Sequence, residues 1–177
     1  MNLTNSNASS QGLIVPNVGT ALAPKSVMRY VHSHLKFRLG NQLALLPTNQ
    51  VLEAITIPVT SITPMPNMPP AMLGLINRRS QVMWVTDLAL LLGMRVAYPN
   101  SQQHSLILLQ VNHVLLGLRV QEVEGILSLP PEQICAAPAH IPAGIVPFLQ
   151  GCFLQDTEVM LVLNAESVLR APTLQPS

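Results

Sequence analysis

Residues 74–88 read GLINRRSQVMWVTDL, and this stretch decides the fold. It predicts a glycine turn, a polar loop at residues 77–80 and an apolar strand at residues 81–86. Asp87 then stands before LALLLG, where a short carboxylate can accept the free amides at the start of a helix that runs to Met94. A turn, a strand and a capped short helix in this order indicate a mainly β protein with short helices.

Outward from this stretch, the body is predicted as short strands separated by turn residues. Residues 34–39 alternate polar and apolar side chains, which is typical of a half-buried strand. Strands this short and turns this frequent favour small barrels over a layered α/β sheet. The other predicted elements are a helical turn begun by Pro69-Pro70 and strands at 42–46, 51–57, 105–111, 113–120, 122–127 and 158–163.

An internal repeat divides the body in two. A shift of 71 positions places Asn41 on Asn112 and Glu53 on Glu124, and a later shift of 77 positions places Gly74 on Gly151. The same later shift places Asp87 on Asn164, and both are good residues for capping a helix. The repeat predicts two similar half-barrels, at about 34–96 and 104–170, joined near residues 97–104.

Composition limits the class of protein. Charged residues make up 10% of the 177 residues and hydrophobic residues 49%. So few charges predict either apolar surface left for a partner or an ordinary aliphatic core under an Asn- and Gln-rich surface. The net charge of +1 and the scattered basic residues argue against nucleic-acid binding. No apolar run approaches the roughly 18 residues of a membrane span, and no secretory signal is recognised, so a cytoplasmic protein is predicted.

The sequence shows no constellation typical of an enzyme. The eight acidic residues and five histidines form no catalytic or metal-binding spacing, and no phosphate loop is present. We therefore predict no catalytic activity, no metal and no cofactor. Cys135 and Cys152 are predicted as two free thiols. Residues 1–28 are predicted to be a disordered tail and 172–177 a frayed end, which leaves one domain at 29–171.

Three polar or aromatic features suggest contact sites. Glu53 interrupts the apolar row that Val51, Ile55 and Ile57 form on one face of a predicted strand, so it is paired, lies at an open groove or reaches water at a strand edge. The adjacent pair Arg78-Arg79 is either solvated or supplies one guanidinium to a carboxylate. Trp84 is predicted in the core, with an exposed interface anchor as the alternative.

These residues together resemble the CheW family. Residues 74–88 resemble its signature, in which a Gly-x-x-Asn-x-Arg-Gly turn leads into an apolar strand ending in Pro-x-x-Asp-Leu. The opening hairpin and third strand are similar at 37–40 and 51–55, the second-half element at 117–123, and the closing strands at 149–151 and 160–164. The resemblance covers roughly residues 34–170.

The resemblance implies two five-stranded barrels around a shared apolar core. It also implies a non-catalytic adaptor that couples a chemoreceptor-like, methyl-accepting protein to a CheA-type histidine kinase at receptor arrays. Val51, Glu53 and Val123 match positions that line the receptor groove, Arg79 matches the signature arginine, and Asn77 matches the signature turn.

Three residues depart from the family pattern: Ser80 replaces a glycine, Trp84 a proline and Gln121 an acidic residue able to pair with Arg79. A turn needing positive φ would be strained at Ser80. These departures suggest a specialised paralogue serving twitching motility or phototaxis. The alternatives are a small-ligand-binding or hydrolytic β-barrel, and a CheW-like module that has lost kinase coupling.

Overall fold

The computed structural model of the chain describes residues 31–99 and 102–174, so the tail predicted at 1–28 lies outside the described residues. The described part is mainly β, as predicted, with short 3-10 turns between elements. Its strands and helices are β1 (His32–Leu39), β2 (Gln42–Pro47), β3 (Val51–Pro58), β4 (Met72–Arg78), β5 (Gln81–Asp87), α1 (Leu88–Leu91), β6 (Gln103–Val111), β7 (Val114–Val120), β8 (Glu122–Leu129), β9 (Leu149–Gln155), β10 (Glu158–Leu163) and α2 (Ala165–Leu169).

The strands form two five-stranded sheets. The first has the order β8-β1-β2-β10-β9 and the second the order β3-β6-β7-β5-β4. The two orders are equivalent when each strand of the first half is replaced by its counterpart in the second half, β1 by β6 through β5 by β10, and the reverse. The repeat seen in the sequence is therefore also present in the strand topology. Neighbouring strands are antiparallel except in two places, where β10 runs parallel to β2 and β5 runs parallel to β7.

The two sheets do not coincide with the two halves of the sequence. The half-barrels predicted at 34–96 and 104–170 are wrong in this respect, because each sheet takes strands from both halves. The hairpin β1–β2 completes its sheet with β8, β9 and β10, and β6–β7 completes its sheet with β3, β4 and β5. Alternation in the sequence identifies strands, but it does not say which strand is the hydrogen-bonded neighbour.

The core has three layers. The largest cluster of buried side chains lies between the sheets and is shared by both, as predicted. Each sheet has a second cluster on its other face. The strands β2 and β6 are buried on both faces: Leu43 and Leu45 lie in one cluster, and Ala44 and Leu46 in the shared one. Such strands read as continuous apolar runs rather than as alternating ones.

Both predicted helix caps are confirmed. Asp87 accepts a hydrogen bond from the Leu90 amide at 3.0 Å, and Asn164 accepts one from the Ser167 amide at 3.1 Å. The helix predicted to run to Met94 is shorter, since α1 ends at Leu91.

Two other elements differ from prediction. The turn at Pro69 is a β-turn, in which the Met72 amide donates to the Pro69 carbonyl, and it leads into the strand β4 rather than into a helical turn. The predicted frayed end also begins too early. Residues Pro172–Leu174 form a 3-10 turn, and Leu174 packs against the shared core.

Glycine is required where a connecting segment crosses β4 or β9. A Cβ atom on Gly74 would overlap the Thr63 carbonyl oxygen, and one on Gly151 would lie 2.6 Å from the Cys135 carbonyl oxygen. At each place the crossing segment makes an isolated antiparallel bridge to the strand, Thr63 with Leu75 and Cys135 with Cys152. The matched glycines of the repeat therefore let backbone lie directly on backbone.

Within residues 31–99 and 102–174, no helix has the length and apolar character to cross a membrane.

Candidate functional site

A groove lies where the outer strands of the two sheets approach each other. β3 is an end strand of the second sheet and β8 an end strand of the first, so each leaves one hydrogen-bonding edge unpaired within its sheet. The groove has a volume of about 400 Å³. Its lining is Ala54, Ile55, Thr56, Ser105, Glu122 and Val123. Mostly small and apolar side chains, with one carboxylate, therefore face an opening between two strand edges.

The alternation of β3 decides which of its side chains face outward. Leu52, Ala54 and Thr56 are exposed, whereas Val51 and Glu53 are half-buried. Val51 packs against the shared core, as does Val123 of β8. Of the three residues matched to the family's groove positions, Val123 lines the groove, and Val51 and Glu53 lie on the same strand as its wall without lining it.

Glu53 is paired rather than free. The Arg78 guanidinium donates to both of its carboxylate oxygens, at 2.7 and 3.3 Å, and Arg79 approaches one of them at 3.5 Å. The hydrogen bond from Arg78 holds the pKa of Glu53 below its ordinary value. Of the two alternatives for the arginine pair, a carboxylate partner is the correct one, and the closer donor is Arg78 rather than the signature arginine Arg79. The Arg79 side chain remains 75% exposed.

The matching glutamate of the repeat is also neutralised, by different residues. Glu124 on β8 accepts from Lys36 at 3.0 Å and from Arg38 at 2.6 Å, both on the neighbouring strand β1. The hydrogen bond from Lys36, with that from Arg38, lowers the pKa of Glu124. Glu53 and Glu124 thus give both end strands a carboxylate held by basic side chains, which sequence alone indicated only as a repeated position.

A buried ion pair ties the end of β5 to β7. Asp87 is 1% exposed, and its carboxylate accepts from the Arg119 guanidinium and, at 3.1 Å, from the Tyr98 hydroxyl. The guanidinium lies over the Tyr98 ring, 4.0 Å from its centre, a cation–π geometry. Burial, with the nearby Asp87 charge, raises the pKa of Tyr98 to about 12. Asp87 therefore does more than cap α1, and no local pattern in the sequence indicates this second role.

Among residues 31–99 and 102–174, no three His, Cys, Asp or Glu side chains come together as a group that could hold a metal ion.

Comparison with known proteins shows which family has this architecture. Residues 33–173 match the family of CheW-like domains. The chain belongs to the CheW-like family. It is 32% identical over 146 residues to a probable chemotaxis protein CheW of Rhizobium etli, covering 82% of this chain and 92% of that one. It is 38% identical over 109 residues to the chemotaxis protein CheW of Rhizobium meliloti, covering 62% and 70%.

A solved structure shares the fold. The scaffolding protein TtCheW from Thermoanaerobacter tengcongensis superposes with a TM-score of 0.70 at 20% identity, over 81% of this chain and 96% of that one. The CheW-like architecture implied by the resemblance over residues 34–170 is thus confirmed.

The three departures from the CheW pattern have distinct surroundings. Trp84 is half-buried and packs against the shared core, as predicted. Gln121 accepts no hydrogen bond from Arg79. It lines a pocket of about 210 Å³ with Tyr98 and His104, and its side-chain oxygen is buried without a hydrogen-bond partner.

Ser80 has a φ of 63° and Arg79 a φ of 51°, so both central residues of the β4–β5 turn are left-handed. Asn77 is exposed on the strand β4 just before this turn.

Replacing Ser80 by glycine should stabilise the protein. A residue with a Cβ pays a steric penalty of about 1 kcal/mol in the left-handed region, and glycine is favoured at this position of a two-residue hairpin turn. We expect Ser80→Gly to raise the free energy of unfolding by roughly that amount, measured by urea denaturation. Ser128→Gly, at an exposed position inside β8, is the matched control and should lower it. Equal shifts of the same sign would contradict the strained turn.

Proposed function

We propose that this CheW-like chain is a non-catalytic adaptor that couples a chemoreceptor-like protein to a CheA-type histidine kinase. The observation that carries the proposal is the groove between β3 and β8 in a chain of this family. An open groove between strand edges suits an elongated protein segment, whereas a small-molecule site is usually a concave pocket that encloses its ligand. The adaptor would act in the cytoplasm, recruited to receptor arrays.

The groove is the proposed receptor site. Its exposed floor of small side chains allows a helical hairpin tip to approach the backbone of β3, and Glu122 at its edge offers a charge to a basic partner residue. Val123 contributes apolar contact directly. Val51 and Glu53 contribute from beneath, Val51 by packing against the core and Glu53 by holding the β4–β5 turn through Arg78.

A second surface is available to the kinase. Val82 on β5 and Val114 on β7 are 63% and 53% exposed, and these two strands are neighbours in the second sheet. Val82 follows the turn that carries the exposed Arg79. Apolar side chains beside an exposed guanidinium are typical of a protein-binding patch. We propose that the kinase's regulatory domain binds this patch, with Asn77 and Arg79 at its rim.

Filling the groove tests the receptor assignment. Ala54→Arg places a long charged side chain where a partner would lie, and it disturbs no buried contact because Ala54 is exposed. We expect roughly tenfold or greater loss of affinity for a receptor signalling tip, about 1.4 kcal/mol, measured by calorimetry. Binding of the kinase regulatory domain should be retained.

Gln155→Arg is the matched control, since it adds the same charge at an exposed position of β9, at the other end of the first sheet. In the same assay with the kinase regulatory domain, Arg79→Ala is expected to weaken binding of that domain more than Arg78→Ala does.

Wild-type protein that binds neither partner would overturn the proposed function. Equal losses for Ala54→Arg and Gln155→Arg would overturn the groove alone.

A further inference from the structure

The two cysteines of the chain are brought together by the fold. Cys135 and Cys152 are 17 positions apart in the sequence, yet they form an isolated antiparallel bridge in which each backbone amide donates to the other's carbonyl at 2.8 Å. Residues directly opposite in such a pair have Cα atoms about 5.5 Å apart and side chains on the same face. Disulfides join Cα atoms about 4.4–6.8 Å apart, so the backbone spacing suits a bond between them.

The two thiols differ in access. Cys135 is exposed, and its Sγ lies 3.7 Å from the Gln133 carbonyl oxygen. Cys152 is 3% exposed and belongs to the shared core. Burial raises the pKa of Cys152, and the neighbouring Cys135 thiol adds to the rise. Cys135 is therefore the thiol that a dissolved oxidant reaches first, and Cys152 is the neighbour that can resolve the product.

The first half of the repeat shows that the fold does not need these thiols. Its corresponding bridge joins Thr63 to Leu75, with the same pair of amide–carbonyl hydrogen bonds. The crossing segment is held at both places by backbone hydrogen bonds and by the space that a glycine leaves. The cysteines are thus an addition to a bridge that forms without them.

We propose that Cys135 and Cys152 form a reversible intramolecular disulfide when a peroxide oxidises the chain. The Cys135 thiolate attacks one peroxide oxygen, the O–O bond breaks, and a sulfenic acid forms with release of one water equivalent. The Cys152 sulfur then attacks the Cys135 sulfur and displaces the hydroxyl as a second water. Two thiols lose two protons and two electrons in total, and one peroxide is reduced to two waters.

The bond would be easy to reduce. In a hydrogen-bonded antiparallel pair the Cβ atoms lie about 5.5 Å apart, which is wider than the roughly 3.8 Å of a relaxed disulfide. Closing the bond must draw the crossing segment toward β9, where the Cys135 carbonyl oxygen already occupies the space that a Cβ on Gly151 would need. Strained disulfides are the labile and regulatory ones. The proposal is thus a redox modification site at the end strand of the first sheet farthest from β8.

The test is oxidation of the purified full-length chain with hydrogen peroxide, followed by alkylation and intact-mass measurement. We expect wild type to lose both alkylatable thiols, to lose the mass of two hydrogens, to stay monomeric on non-reducing electrophoresis and to recover both thiols with dithiothreitol. A peptide linking Cys135 to Cys152 should appear on digestion. Because the chain has two cysteines, the linked peptide has one possible intramolecular assignment.

Cys135→Ser is the primary control, since its site is exposed and its folding is readily checked by circular dichroism. We expect its remaining thiol to stay reduced at a dose that oxidises wild type fully. Cys152→Ala should instead gain oxygen at Cys135 or form dimers through it. Wild type that behaves like Cys152→Ala, or that keeps both thiols at every peroxide dose at which it stays folded, would overturn the proposal.

Discussion

Replacement of Arg119 by methionine is expected to lower the free energy of unfolding by about 3–5 kcal/mol. The change removes the cationic partner of Asp87, whose carboxylate is 1% exposed, and leaves that charge buried with the Tyr98 hydroxyl and one backbone amide. Those two neutral donors do not replace a guanidinium. Urea denaturation of the purified variant measures the loss.

The second half of the molecule supplies the compensating change. Asn164 occupies the position of Asp87 in the repeat and caps α2 without a charge. Asp87→Asn combined with Arg119→Met should therefore recover most of the lost stability, because no buried charge remains and the cap of α1 is kept. Arg170→Met, which breaks an exposed pair with Glu166, should change little. Equal losses for Arg119→Met and Arg170→Met would show that the buried pair contributes no more to stability than the exposed pair.

The second large effect is expected at Gly74. Its φ of 141° disfavours any residue with a Cβ, and that Cβ would overlap the Thr63 carbonyl oxygen. Both elements must shift to admit Gly74→Ala, so we expect a loss of about 3 kcal/mol or more from backbone strain and overpacking together. Thermal and urea unfolding of the variant measure this loss.

Three other glycines separate the two causes. Gly151 has the close contact without the positive φ, Gly93 has a φ of 73° with no atom near its Cβ position, and Gly144 has neither. Of the four alanine variants, Gly74→Ala should lose the most stability. Gly151→Ala and Gly93→Ala should lose less, and Gly144→Ala almost none. A Gly74→Ala variant no less stable than Gly93→Ala would mean that the crossing segment moves away freely.

The parts of this fold that could be predicted are local. The alternation of residues 34–39, a turn just before the strand at 81–86 and the caps Asp87 and Asn164 depend on side chains within a few positions of one another, although β4 continues to Arg78 inside the loop predicted at 77–80. The resemblance of the motifs over residues 34–170 added the family and with it the shared core. For Glu53 the local pattern left three alternatives, a partner, an open groove or water at a strand edge, and the structure shows the first of them.

The parts that could not be predicted depend on which strands become neighbours. Asp87 and Arg119 stand opposite each other only because β5 runs parallel to β7, and that pairing joins the two halves of the chain. The strand β4 was missed because the two prolines before it suggested a helical turn. Arg78 at the end of β4 lies closer to Glu53 than Arg79 in the left-handed turn does, and no residue pattern shows which of two adjacent arginines is the nearer donor.

The exchange of strands between the halves has a consequence for synthesis. The hairpin β1–β2 is complete once Pro47 has left the ribosome, but its neighbour β10 begins at Glu158. At roughly 5–20 residues per second, that hairpin waits on the order of ten seconds for the strand that covers its open edge. The nascent chain must keep two apolar faces of β2 from other polypeptides until β10 has been made.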